Sequence, residues 1–221
     1  MKLAFFDLDG TLLEGTTEGL WAALLAKQGL LDYTPFHGFR QDYLDGRLDI
    51  AAYNAWQNAP YRTLPLERLL QLRGQFLETD VLPRIPAAAR ALVDAERKGA
   101  RQLVLATAAS DFLAEPIAKA LGFDALLATR LEWRDGRPSG AVVGEPCYQE
   151  GKLRRAEEHV LQLGLPPDAF EHASFHSDSF NDLPLLERVG RPVVVDPDDR
   201  LAAVARARQW PVLWIHRDPP T

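Results

Sequence analysis

Ala4-Phe5-Phe6-Asp7-Leu8-Asp9-Gly10-Thr11 is the stretch around which the rest of the chain makes sense. Leu3 to Phe6 is an apolar run of strand length, and it ends abruptly in two carboxylates one residue apart, followed by Gly-Thr. In an open parallel sheet the carboxyl ends of the strands form the ligand crevice. Asp7 and Asp9 then stand at its mouth, aimed the same way by the side-chain period of two. Like charges this close repel, and a cation between or beside them removes the penalty. The plainer alternative is that the pair caps a helix or opens a turn, since Asp-Gly is a common turn pair. The later segments overturn that alternative.

The 221 residues are 47% apolar and 25% charged, the balance of an ordinary globular protein with room for a substantial core. A net charge of -6 and scattered Lys and Arg give no basic footprint, so nucleic acid is not an expected partner. The one cysteine, Cys147, can form no internal disulfide and no zinc set, which suits a reducing compartment. Met1-Lys2 runs directly into the first strand without a leader pattern. No later apolar run is long enough for a bilayer. The expectation is a cytoplasmic protein with no membrane partner, monomeric or a homodimer.

After Thr11 the pattern becomes helical: Leu20, Trp21, Leu24 and Leu25 share a face, and Gly29 is a plausible stop. Aromatic residues are frequent from Phe36 to Trp56, and the leucines at 66, 69, 70 and 77 again keep helical spacing. No strand is expected before Ala100, so residues 14–83 form a helical insertion far longer than an ordinary crossover. Its Glu14, Glu18, His37, Arg40, Tyr43 and Arg47 either line a substrate pocket or decorate a solvated face. An insertion that emerges at the crevice has to lie above it. The core is expected over residues 1–13 and 84–221.

Pro86 opens a helix that Gly99 closes. The strand Leu103–Ala106 follows, ending in Thr107-Ala108-Ala109-Ser110, where a hydroxyl and free amides at the start of a helix suit a phosphate, with Ser110 read as a helix cap. Leu126–Trp133 and Ser139–Val143 read as an antiparallel hairpin. Lys152 stands near the start of an amphipathic helix, a place where a cation is unfavourable unless an anion is near. A third strand, Ala173–His176, leads into Ser177-Asp178-Ser179-Phe180-Asn181-Asp182. His176 is read as structural. Two carboxylates four apart with an amide between them, on a second strand-to-helix loop, supply hard oxygen ligands suited to Mg²⁺ rather than zinc. Val193–Val195 and Val212–Ile215 add strands around a helix from Asp199 to Gln209. Alternating strands and helices predict an α/β protein: a Rossmann-like parallel sheet with helices on both faces, plus a small helical cap inserted after the first strand.

Taken together, Asp7-Leu8-Asp9-Gly10-Thr11, the strand ending in Thr107, Lys152, and Asp178-Ser179-Phe180-Asn181-Asp182 resemble, in order and spacing, the four motifs of the haloacid dehalogenase superfamily of phosphatases. The resemblance covers the whole chain and is nearest to the branch that contains phosphoserine phosphatase. It implies Asp7 as the nucleophile that forms an aspartyl-phosphate and Asp9 as the acid and base. It also implies Thr107, Ala108 and Lys152 on the phosphoryl oxygens. Asp7, Asp9, Asp178 and Asp182 become the Mg²⁺ set, with Asn181 and Gly10 in support. The phosphoserine enzymes usually carry Ser where this chain has Gly10, and a cap glutamate that here falls on Thr16. Glu14 or Glu18 is then the candidate for an amino group, and Arg40 or Arg47 for a carboxylate. The expected substrate is a small phosphomonoester, such as phosphoserine or histidinol phosphate. A phosphotransferase of the same superfamily is the alternative. From another class, so is a receiver-like signalling domain, although its acidic pair precedes its acceptor and it has no acid two residues after it.

Overall fold

The computed structural model describes residues 2–99 and 101–218; Met1, Ala100 and residues 219–221, which the expected core spans include, lie outside the described residues. In chain order the elements are β1 (Lys2–Phe6), α1 (Thr17–Lys27), α2 (Phe36–Leu44), α3 (Ile50–Gln57), α4 (Ala59–Thr63), α5 (Leu66–Phe76) and α6 (Ala87–Lys98). Then come β2 (Arg101–Ser110), α7 (Asp111–Ala120), β3 (Ala125–Thr129), β4 (Leu131–Arg134), β5 (Arg137–Val142) and α8 (Glu150–Gln162). The chain ends in β6 (Ser174–Ser177), α9 (Leu183–Arg188), β7 (Arg191–Val195), α10 (Asp199–Arg208) and β8 (Val212–Leu213).

Six parallel strands form one sheet in the order β3-β2-β1-β6-β7-β8. β1 lies in the middle, with Phe5 opposite Val104 of β2 on one side and Phe175 of β6 on the other. A strand covered on both faces needs apolar side chains at every position, which is why Leu3 to Phe6 reads as an unbroken run. Its two faces feed two separate cores. Ala4, Phe6 and Leu8 pack with Trp21, Phe76, Val93 and Phe112 from α1, α5, α6 and α7. Leu3 and Phe5 pack with Ala156, Val160, Leu185 and Leu201 from α8, α9 and α10. The chain leaves β1 for β2 and β3 on one side and returns to β6 to β8 on the other, so a crevice opens at the end of β1, where Asp7 begins.

Between β1 and β2 the described residues form the helices α1 to α6 joined by loops, with no strand among them, as expected. Its two ends and its middle behave differently. Trp21, Leu24 and Leu25 of α1 and Leu69, Leu72 and Phe76 of α5 belong to the same apolar cluster as the sheet. From Leu30 to Trp56 no residue is buried.

Two elements differ from their expected forms. The first arm of the expected hairpin is split: β3 is an edge strand of the main sheet, with Leu126 beside Leu105, and only β4 and β5 form the hairpin. An apolar stretch such as Leu126-Leu127-Ala128 fits either role, and the break at Arg130 is set by where the sheet ends. The hairpin turns on Asp135 and Gly136, both at positive φ, as a two-residue turn of the primed kind requires. β2 runs on to Ser110 through an irregular register between Ala106 and Ser110, which puts Thr107 inside the strand rather than after it. Among the described residues no helix is long and apolar enough to cross a membrane.

Candidate active site

Asp7 follows β1 directly, its amide donating to the His176 carbonyl of β6 at 2.9 Å. Its Oδ1 accepts from Lys152 Nζ at 2.8 Å, and the same ammonium reaches Asp182 Oδ1 at 2.6 Å and Oδ2 at 2.7 Å. Lys152 sits in the first turn of α8, and its side chain is 3% exposed. Burial alone lowers a lysine, but Asp182 and Asp7 push Lys152 well above the usual range, so it stays charged. Asp182 also accepts from Ser177 Oγ at 2.7 Å and so fixes the lysine from the far side. The cation at a helix N-terminus is explained by the anions that face it.

Asp9 is turned differently. Its Oδ1 accepts the Thr17 amide at 2.8 Å and the Thr17 hydroxyl as well, so the first turn of α1 orients it. Burial raises Asp9 to about 6 against the pull of those bonds, a value suited to proton transfer near neutrality. Asp7 is also raised, by burial first and against Lys152. Asp178 is raised well above the carboxylate range, by burial and by Asp7.

Thr11 joins the two loops. Its hydroxyl donates to Asp178 Oδ1 at 2.9 Å and accepts the Asp178 amide at 3.0 Å, and it lies 3.5 Å from Asp7 Oδ2. Gly10 is required beside it: φ is +76°, and a Cβ there would lie 2.1 Å from Asp178 Oδ2. On β2, Thr107 is buried, its Oγ1 accepting the Ala109 amide at 3.1 Å, and the Ala108 carbonyl accepts from Thr129 Oγ1 at 2.8 Å.

Asp7, Asp9, Thr107, Ala108, Lys152, Asp178 and Asp182 all border one cavity of about 270 Å³. Five carboxyl groups, Asp7, Asp9, Glu18, Asp178 and Asp182, share it with Lys152 and Arg40, an excess of acidic groups that suits a divalent cation. Among the described residues no three His, Cys, Asp or Glu side chains form a ready metal cage. Asp7 and Asp178, bridged by Thr11, are the carboxylates placed to share a cation; Asp9 is committed to Thr17 and Asp182 to Lys152 and Ser177. Two protein carboxylates with the remaining positions left to water match the way Mg²⁺ is held. Asn181 stands behind this loop, accepting from Gln149 Nε2 at 3.1 Å.

The insertion supplies part of the cavity wall: Phe36, Phe39, Tyr43 and Tyr53 are aromatic, Arg40 carries a guanidinium and Glu18 a carboxyl. Glu18 Oε1 accepts the Ser110 amide at 2.7 Å, and burial raises the carboxyl to about 8. Ser110 does precede α7 as the cap position, but its hydroxyl makes no capping bond. Glu14 and Arg47, also in the expected substrate set, are not among the residues that line this cavity. Glu14 is exposed before the first turn of α1, and Arg47 points to Asp42 and Asp45 on the surface. His37 is exposed against Tyr33 and Phe36. His176 is structural, as read: Nδ1 lies 3.2 Å from the Phe5 carbonyl and the ring stacks on Phe6.

Residues 4–187 match the model of the haloacid dehalogenase-like hydrolases. The chain belongs to that family. It is 33% identical over 217 residues to a histidinol-phosphatase of Neisseria meningitidis serogroup C, covering 96% of this chain and 98% of that protein. A Bordetella pertussis protein of unknown function, known from a crystal structure, superposes with a TM-score of 0.88 at 32% identity over 96% of this chain and 97% of the other. A phosphoserine phosphatase solved as a phospho-aspartyl intermediate analogue shares the fold, with a TM-score of 0.72 at 18% identity over 98% and 94% of the two chains. Family membership makes this chain a hydrolase and sets aside the receiver-like alternative.

Sequence reasoning gave no role to Thr11, Thr17, Ser177 or Ser179. Thr17 had a signal in its place just ahead of an apolar helical face; the others depend on contacts between distant loops.

Proposed function

We propose that this chain is a Mg²⁺-dependent phosphatase that hydrolyses a small phosphomonoester through a phosphorylated Asp7. The observation that carries the reading is the buried Asp7–Lys152–Asp182 group on the floor of a cavity whose rim holds Asp9 as a tuned acid. An Asp7 carboxylate oxygen attacks phosphorus as the bond to the leaving alcohol oxygen breaks, and protonated Asp9 gives that oxygen its proton. Asp9, now ionised, takes a proton from a water as that water attacks the phosphorus. The bond to Asp7 breaks, inorganic phosphate leaves, and Asp9 is again protonated. Lys152 and the Thr107 hydroxyl bind the phosphoryl oxygens, beside Ala108. Asp7 and Asp178, with the Asp9 carbonyl, would hold Mg²⁺, and the ion would neutralise charge between carboxylate and ester. Residues 14–83 act as the cap that excludes water.

Histidinol phosphate is the substrate we favour. Its ammonium and imidazole match a wall of four aromatic rings and the Glu18 carboxyl, whereas the carboxylate of phosphoserine has Arg40 alone to meet it. The relative named for histidinol phosphate spans both chains almost completely. The test is phosphate release from a panel that includes histidinol phosphate and phosphoserine, with and without Mg²⁺, and with Asp7→Asn in parallel. Asp7→Asn is expected to lower turnover on the order of 10⁴-fold or more. Release that survives this change, or that prefers no small ester over a generic aryl phosphate, defeats the reading.

A further inference from the structure

Residues 30–57 carry an aromatic cluster of the insertion that meets the rest of the molecule by packing of Leu30 and Leu31 on the main core, of Phe36 beside Gly19 and of α3 against β5. Tyr33, Phe36, Phe39, Tyr53 and Trp56 pack on one another, and Trp56 Nε1 donates to the Asp32 carbonyl at 2.9 Å. Apart from the backbone bonds at its own two ends, Leu30 to Leu25 and Asn58 to Asn54, the hydrogen bonds found among the described residues from this patch to the rest of the molecule are those of Tyr43. Its hydroxyl donates to Ser179 Oγ at 3.0 Å, and its carbonyl accepts from Asn181 Nδ2 at 3.3 Å. Its ring lies 6.0 Å from that of Tyr148 and borders the reaction cavity.

Both partners stand on the loop that carries Asp178 and Asp182. Ser179 Oγ accepts the Asn181 amide at 3.2 Å, and the Ser179 amide donates at 3.2 Å to Ser177 Oγ, which itself holds Asp182. Asn181 is bound on its other side by Gln149, three residues before Lys152. One residue, by its hydroxyl and its carbonyl, therefore joins the cavity wall, the acidic loop and the start of α8. Burial and the nearby Asp178, Asp182 and Asp7 keep the phenol protonated, so it remains a donor.

We propose that Tyr43 is a positioning and specificity-determining residue, fastening the residue 30–57 patch to the Asp178–Asp182 loop when the leaving group of the ester fills the cavity. This rests on the phosphatase reading for its consequence in turnover, but not for the fastening itself. A leaving group packed on the ring of Tyr43 holds the patch down and, through Ser179 and Asn181, fixes the loop. An ester too small to reach the ring does not.

Two measurements on the full chain test this. Limited proteolysis within residues 30–57 is expected to quicken about fivefold in Tyr43→Phe, the loss of one hydrogen bond of about 1 kcal/mol. Ser179→Ala is expected to do the same, and the double variant to gain less than twofold more. In turnover, Tyr43→Phe is expected to lower the ratio of kcat/KM for histidinol phosphate to that for acetyl phosphate about fivefold; a merely structural loss lowers both in proportion. Unchanged cleavage, effects of the two variants that multiply, or an unchanged ratio overturns the proposal. If the wild-type chain hydrolyses no ester, the phosphatase reading fails instead, and the proteolysis result alone decides whether Tyr43 fastens the patch.

Discussion

On one side of the reaction cavity Asp7, Lys152 and Asp182 are almost closed to water and hold one another at 2.6–2.8 Å; on the other, residues 30–56 contain no buried residue at all. The first side is set by strand ends and a helix start that two apolar cores lock in place. The second is a small aromatic cluster tied across the cavity by Tyr43. Under the proposed function, the difference separates two tasks. Groups that act on phosphorus must be held in one geometry, because misplacement costs rate steeply. The surface that admits a substrate has to yield, and segments of low local stability are the ones that can.

The contrast breaks most directly at Lys152. Lys152→Met leaves two buried carboxylates facing each other without a cation, and is expected to lower unfolding stability by about 3–5 kcal/mol, read as a fall in denaturant midpoint. A loss below about 1 kcal/mol would mean that the sheet side is no more rigid than the patch.

A second expectation concerns acid. Burial lowers His176 to about 4, with the Phe5 carbonyl and Glu96 opposing. Its folded value lies below the ordinary value of about 6.5, so between those pH values the unfolded chain binds more protons. The contribution to stability is therefore full above pH 6.5 and is lost as pH falls towards 4, by about 3 kcal/mol. Asp7, Asp9 and Glu18 are raised and act in the opposite sense, so the quantity to measure is the difference between wild type and His176→Gln across pH 4 to 7. A flat difference would remove His176 from the rigid side.

The smallest effect is expected on the yielding side. Phe39→Leu alters a half-buried ring that touches only Tyr53 and Trp56 among the aromatics, and should change global stability by less than about 1 kcal/mol while raising local proteolysis. A larger global loss would show that the patch is part of the main core.

Glu14 and Glu18 show how far the sequence could be read. Glu18 is three and seven residues before Trp21 and Leu25, on the face that α1 turns inward, so helical spacing already pointed it into the molecule. Glu14 fits the same spacing, but the chain turns at Gly15, φ +104°, and leaves it outside. Arg40 and Arg47 differ likewise: α2 ends at Leu44, and Arg47 beyond it turns back to Asp42 and Asp45. β3 was folded into a hairpin because an edge strand and a hairpin arm have the same local pattern.

By itself the sequence determined the strand that ends in Asp7, the acidic loop after β6, the lysine at the start of α8 and the parallel α/β core. Each rests on a local rule: period two in strands, 3.6 in helices, and proline or glycine at the ends. Only the tertiary structure decided that Thr17 orients Asp9, that Thr11 bridges Asp7 and Asp178, and that Tyr43 hydrogen-bonds to Ser179 and Asn181 on the acidic loop. Those contacts join residues whose partners are chosen by how helices and loops pack, and a hydroxyl on a helix carries no local sign of what it will meet across a cavity.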